Sequence, residues 1–272
     1  AGPAARQRGA LIDARNRVST RVERNWRSLG SWNEADVDRF LARTLPVVDA
    51  GQRRTVSLTD AYLARVTSTR AVGLPADDLV GAGVRNGTPP TDVYRRPFVQ
   101  LWSALSNGSQ FMDAMNAAGV RAAQSAASDV SLSMRASADA FQEQATGPVE
   151  SDIIGWERVL DPDACAYCAT ASTQRYKSAN LAPIHANCQC GIAPVFAEND
   201  RAIKDFNRQV LANIKDANAG ADRPYWEARH FRVDGDTGEV ILPEVAVHEH
   251  GELGAVISDA AHDFTGPADI AA

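Results

Sequence analysis

Sulfur is scarce in this chain. Of 272 residues only three are methionine and four cysteine, and all four cysteines fall within one 26-residue window. Lysine is scarcer still: Lys177, Lys204 and Lys215 stand beside 25 arginines. No apolar run approaches the ~18–20 residues that would cross a bilayer as a helix, so no membrane partner is expected. Residues 1–16 lack the apolar core of a cleaved signal, so export by that route is not expected either. The chain has no G-x-x-x-x-G-K-S/T loop, no dinucleotide glycine fingerprint, no H-E-x-x-H and no kinase or hydrolase elbow. A serine nucleophile would need a placed base. His230, His248, His250 and His262 lie in the acidic C-terminal part without a recognisable serine motif. No catalytic residue is nominated, and an enzyme is not expected.

What is present is ordinary in bulk and uneven in detail. The apolar fraction is 44% and the charged fraction 23%, as in globular proteins, and the length suits one large or two medium domains. Net charge is −6, yet residues 1–70 hold thirteen arginines against seven acids, and the last 52 residues hold three arginines against eleven acids. A basic arm over residues 1–30 suits nucleic acid or an acidic protein surface; a solvated helix face is the plainer alternative. Arg15, Arg17, Arg21 and Arg24 are the candidates for phosphate contact.

The apolar pattern is helical over the first half. Residues 4–29 carry a thin stripe of Leu11, Val18 and Val22, which needs a partner to be stable. Asn33 reads as an N-cap, with Glu34, Asp36 and Asp38 in the first turn, and predicts a long helix kinked near Pro46. A short helix is expected over 75–83, a loop at 86–90, and helices over 91–106 and 108–144. The last is rich in alanine and serine, which permits close helix packing. Thr146-Gly147-Pro148 marks the boundary. Residues 153–160 read as a strand with 190–196 as its partner, 199–217 as a helix, and 230–233 with 239–242 as a hairpin. The fold class expected is mostly α with a small α+β module: a helical region over 1–146, a Cys/His-clipped module over 147–243, and an acidic C-terminal tail over 244–272.

The cysteine window carries the chemistry. Its pattern is C-x2-C (Cys165, Cys168), nineteen residues, then C-x-C (Cys188, Cys190), with His185 three residues before Cys188. Two knuckles flanking a loop of ~15–20 residues can supply four N/S ligands to tetrahedral zinc. Cys165, Cys168 and His185 are the first three candidates, with Cys188 or Cys190 completing the shell. Two disulfides, metal-free core cysteines and a redox thiol are the competing readings. A site with all ligands used is structural; catalytic zinc keeps an open position.

Two other patterns are weaker. Asp234, Asp236 and Gly238 mimic the start of a calcium loop, but position twelve is Val245 where glutamate is needed, so a hairpin turn is the better reading. His248 and His250 would share a face of a strand, which allows a chelating pair, though an exposed polar segment is the simpler reading.

The run 155–196 resembles the MuF-like phage head morphogenesis, or minor capsid, family of actinobacteriophage type. The matching positions are Asp161, Cys165, Cys168, Tyr176, His185, Asn187, Cys188, Cys190 and Pro194, and Leu58-Thr59-Asp60-Ala61-Tyr62 resembles such members more weakly. Gln189 departs from the arginine common there. The resemblance implies a virion protein, made in the host cytoplasm and carried inside the capsid at or near the portal vertex. It implies the portal protein as partner, with scaffold, major capsid protein or packaged DNA as further ones. Action by binding with a structural zinc is expected. The alternatives are an effector enzyme ejected with the genome, ADP-ribosyltransferase- or nuclease-like, and a zinc-ribbon nucleic-acid binder. The latter is disfavoured because the window holds only Arg158, Arg175 and Lys177 as basic residues.

Overall fold

The structure, a computed structural model, describes residues 3–68, 70–144, 153–160, 168, 171–184, 188, 190–217, 232–233, 240–241 and 245–259. The chain divides into two compact units, with the division after Phe141. Among the described residues no helix is long and apolar enough to cross a membrane.

The first unit is helical: α1 (Pro3–Arg27), α2 (Glu34–Val66), α3 (Pro90–Ser106) and α4 (Phe111–Gln144), with a 3-10 turn at Gly81–Val84. Val18, Val22 and Trp26 of α1, Val37 and Phe40 of α2, Phe98 and Leu101 of α3, and Ala118, Ala122 and Val130 of α4 form one buried core. Trp26 is its centre, with ring centroids 5.5 Å from Phe40 and 4.8 Å from Phe98, at tilts that suit aromatic quadrupoles. Gly51 lets α1 and α2 close together, since a Cβ there would lie 2.4 Å from Val18 Cγ2.

Local signals set the ends of α2. The Asn33 side chain accepts from the Asp36 N–H, and α2 then continues through Pro46. The Asp36 carboxylate accepts from the backbone N–H groups of Gly30, Ser31 and Trp32 at 3.2, 2.7 and 2.8 Å. These bonds hold Trp32 at φ 56°, a left-handed conformation that a bulky side chain rarely adopts. After α2, Asp60 accepts from the N–H groups of Val72 and Gly73, both at 3.0 Å. The helix expected over 75–83 is replaced by turns, with Asp78 bonded to Pro75 and Leu79 to Ala76, followed by the 3-10 turn. Pro75, Gly81 and Gly83 in so short a segment leave too few good helix formers to propagate an α-helix.

A buried polar network ties α4 to the rest. Arg85 donates to Asp129 at 2.5 Å and to the Ser125 carbonyl at 3.1 Å, while Tyr94 Oη donates to Asp129 at 2.6 Å. Gln52 donates to Ser133 Oγ at 3.0 Å and accepts from the Gly81 N–H at 3.2 Å. A cleft of about 360 Å³, walled by Leu45, Pro46, Val48 and Pro90, has this network as its floor.

The second unit holds β1 (Ile153–Val159), β2 (Gly191–Phe196), α5 (Asp200–Ala217), and four further strands: β3 (Arg232–Val233), β4 (Val240–Ile241), β5 (Val245–His250) and β6 (Gly254–Asp259). They pair antiparallel as β1–β2, β3–β4 and β5–β6. The expected turn with Asp234, Asp236 and Gly238 lies outside the described residues; the strands on either side pair Val233 with Val240. The region expected as an acidic tail from 244 contains the β5–β6 hairpin, paired from Val245↔Asp259 to His250↔Gly254. Its alternating valines and short turn outweigh its acidity.

Candidate metal centre

The site is built from the β1–β2 ladder outward. The register runs from Val159↔Gly191 to Ile153↔Phe196, so Cys190 enters β2 beside the end of β1. Leu160, just past β1, packs against Cys168, Cys188 and Cys190, as does Ile184. On the other edge of β1, Tyr176 forms a bridge with Trp156 through two 2.8 Å backbone hydrogen bonds. That edge tolerates no side chain at position 155. A Cβ on Gly155 would lie 2.9 Å from the Tyr176 carbonyl oxygen and 2.6 Å from the Arg175 side chain.

Side chains then fix the loop between the two cysteine pairs. Tyr176 Oη donates to the Ala171 carbonyl at 2.8 Å, Asn207 of α5 donates to the Thr173 carbonyl at 3.2 Å, and Arg158 Nη2 donates to the Ala182 carbonyl at 2.7 Å. The Ile184 carbonyl accepts from the Ile257 N–H of β6 at 2.8 Å. Asp200 at the start of α5 bonds both Arg175 and Lys204; the Lys204 hydrogen bond and the charge of Arg175 hold its carboxyl below the usual range.

The result is three converging sulfurs. Cys168, Cys188 and Cys190 are buried, and their Sγ atoms lie within 4.8 Å of one another. The Cys168–Cys188 separation is 3.6 Å. Two thiolates sharing one tetrahedral zinc stand about 3.8 Å apart, given Zn–S bonds of about 2.3 Å, whereas a disulfide needs about 2.05 Å. The donor set and spacing therefore fit a soft divalent cation. Both Cys188 and Cys190, offered as alternatives from spacing alone, reach the cluster. Cys165 and His185 lie outside the described residues.

The other sequence candidates fall elsewhere. His248 and His250 lie on β5, where His250 Nδ1 accepts from the Glu252 N–H at 3.2 Å. Among the described residues the three cysteines are the one group that brings metal-binding side chains together. Of the basic candidates on α1, Arg17, Arg21 and Arg24 are exposed, while Arg15 is buried. Sequence reasoning did not single out Arg158 or Gly155 for the site. A glycine interrupting a β-branched run was the available signal for the second.

Comparison with known proteins finds no match: no family model fits the chain, and no curated protein or solved structure is significantly similar to it.

Proposed function

We propose that this chain is a minor head protein of a tailed bacteriophage, working by binding at or near the portal vertex, with a structural zinc ion in its second unit. The observation that carries the reading is the convergence of Cys168, Cys188 and Cys190, the residues through which the chain resembles the MuF-like family. Either Cys165 or His185 would supply the fourth ligand and complete the tetrahedral shell. A bound ion would cross-link the end of β1, the start of β2 and the loop between them, beside Leu160 and Ile184, which pack against the three cysteines. Such an ion supplies folding energy and not turnover, because a filled shell leaves no position for substrate.

Two measurements test it separately. Elemental analysis of the purified protein is expected to give about one zinc per chain; protein without metal and with all thiols titratable would sink the zinc assignment. Mass spectrometry of purified virions, with co-purification on the portal ring, tests the head-assembly role. Absence from virions would remove that role, and nuclease or ADP-ribosyltransferase activity would replace it with the effector reading.

A further inference from the structure

The exposed arginines of the first two helices fall into two populations. Arg27 pairs with Glu23 at 2.6 Å, Arg39 with Asp36 at 2.5 Å, and Arg53 with both Asp49 and Asp77 at 2.8 Å. By contrast, Arg17, Arg21 and Arg24 of α1 and Arg54 of α2 make no ion pair among the described residues. Arg43 of α2 reaches only the Ser28 hydroxyl, at 3.3 Å. Asp13, one turn before Arg17, is exposed and does not pair with it.

These five arginines lie along one seam. Asn25 of α1 donates to the Arg43 carbonyl at 3.1 Å and to Thr44 Oγ1 at 3.2 Å, and Val18 meets Gly51, so the helices run antiparallel. One flank of α1 faces α4, because Ser19 donates to the Ala123 carbonyl and Trp26 Nε1 to the Met115 carbonyl. The opposite flank carries Arg17, Arg21, Arg24 and Ser28 at helical spacing, and Ser28 meets Arg43. This register sets Arg24 beside Arg43 and Arg17 beside Arg54. Arginines at i, i+4 with no acid between them destabilise a helix. On α2 the chain has neutralised Arg39 and Arg53 and left Arg43 and Arg54 of this seam without a carboxylate among the described residues.

We infer that the α1–α2 seam is a docking surface for the phosphate backbone of duplex nucleic acid. Guanidinium groups bind phosphate oxygens in bidentate fashion, and a row of them matches a regularly spaced polyanion. A protein partner would need an apolar anchor at the centre of the contact. Between these arginines stand Thr20, Ala50 and Ser57, all exposed and small. Arg15 is buried and takes no part. The surface carries no base-reading element, so binding is sequence-independent. It stands on charge placement and not on the head-assembly reading: a protein missing from virions that still bound duplex here would sink that reading alone.

The test is fluorescence anisotropy of the full chain with a labelled DNA duplex of arbitrary sequence, across a salt series. With four phosphates engaged, log K should fall against log salt with a slope of about −3.6, so a fourfold rise in salt weakens binding about 150-fold. Replacing Arg17, Arg21 and Arg24 together by glutamine should lessen that slope by about 2.7. Replacing the paired Arg27 and Arg53 should leave it unchanged, with helical circular dichroism confirming the fold of every variant. No binding at low salt, or an unchanged slope in the triple variant, would overturn the proposal. So would polyglutamate competing as well as DNA at equal charge, which would point to an acidic protein instead.

Discussion

The guanidinium of Arg158 lies 5.5 Å from the centroid of the Tyr176 ring, and both are held there by the same strand. Tyr176 is bridged to Trp156, and Arg158 follows two residues later on the same face of β1. Arg158 is buried at 7% exposure, with Nη2 on the Ala182 carbonyl and with Nε and Nη1 lacking hydrogen-bond partners among the described residues. A buried cation so poorly compensated is costly. It pairs across the ladder with Ile192, which makes Cys190 its diagonal neighbour.

That placement gives the first prediction. Three thiolates around a divalent cation leave an excess negative charge, and Arg158 is the cation placed to balance it. Replacing it, as Arg158→Met, is expected to weaken zinc binding about 10-fold in chelator competition. The metal-free variant should be as stable as the parent or more so, because the uncompensated buried charge is gone. Equal zinc affinity in both proteins would deny Arg158 this role.

Metal removal should separate the two units. Chelation, or Cys188→Ser, is expected to abolish the cooperative unfolding of the second unit while the helical unit melts as before. Calorimetry of metal-loaded and stripped protein would resolve the two transitions. A single transition that ignores chelator would contradict the metal clip.

The turn between α1 and α2 should respond to acid. The Ser31 N–H chiefly, then those of Trp32 and Gly30 and the charge of Arg39, hold the Asp36 carboxyl below its usual value against the opposing effect of burial. A depressed folded pKa adds stability above the unfolded value of about 3.9 that is lost as pH falls through the folded one. Asp36→Ala is expected to cost about 2 kcal/mol at neutral pH and to flatten the acid limb of the stability profile. Urea titrations at several pH values would show both.

The Arg85–Asp129–Tyr94 network should respond to alkali. Burial first, then the adjacent Asp129 charge, push the Tyr94 hydroxyl well above its usual range. Stability of the helical unit is therefore full below about pH 10 and declines as pH rises beyond it. Tyr94→Phe should cost about 1 kcal/mol and lessen that alkaline loss. Asp129→Ala should cost about 3–5 kcal/mol, because the buried Arg85 loses the carboxylate it bonds. Denaturant melts of the three proteins at neutral and alkaline pH would rank them.

What the sequence determined by itself were the local and periodic features. Apolar spacing near 3.6 placed the four long helices, Asn33 set the start of α2, and β-branched alternation paired residues 153–159 with 191–196. Clustering nominated the thiols, since five ligand candidates within 26 residues need no fold to be noticed. Tertiary structure decided the rest. Helical spacing puts Arg15 on the stripe of Leu11, Val18 and Val22 and Arg17 off it, but that a charged side chain on that stripe is buried depends on the elements packed against α1. The link from Arg85 to Asp129 spans 44 residues, and no local preference encodes it. Spacing alone left Cys188 and Cys190 as alternatives. Both reach the cluster because the β1–β2 register starts β2 immediately after Cys190, while Tyr176 and Arg158 draw the intervening loop back along β1. Periodicity reports which face is apolar; which element covers that face, and which distant side chain meets it, depends on contacts that exist only after the chain has closed on itself.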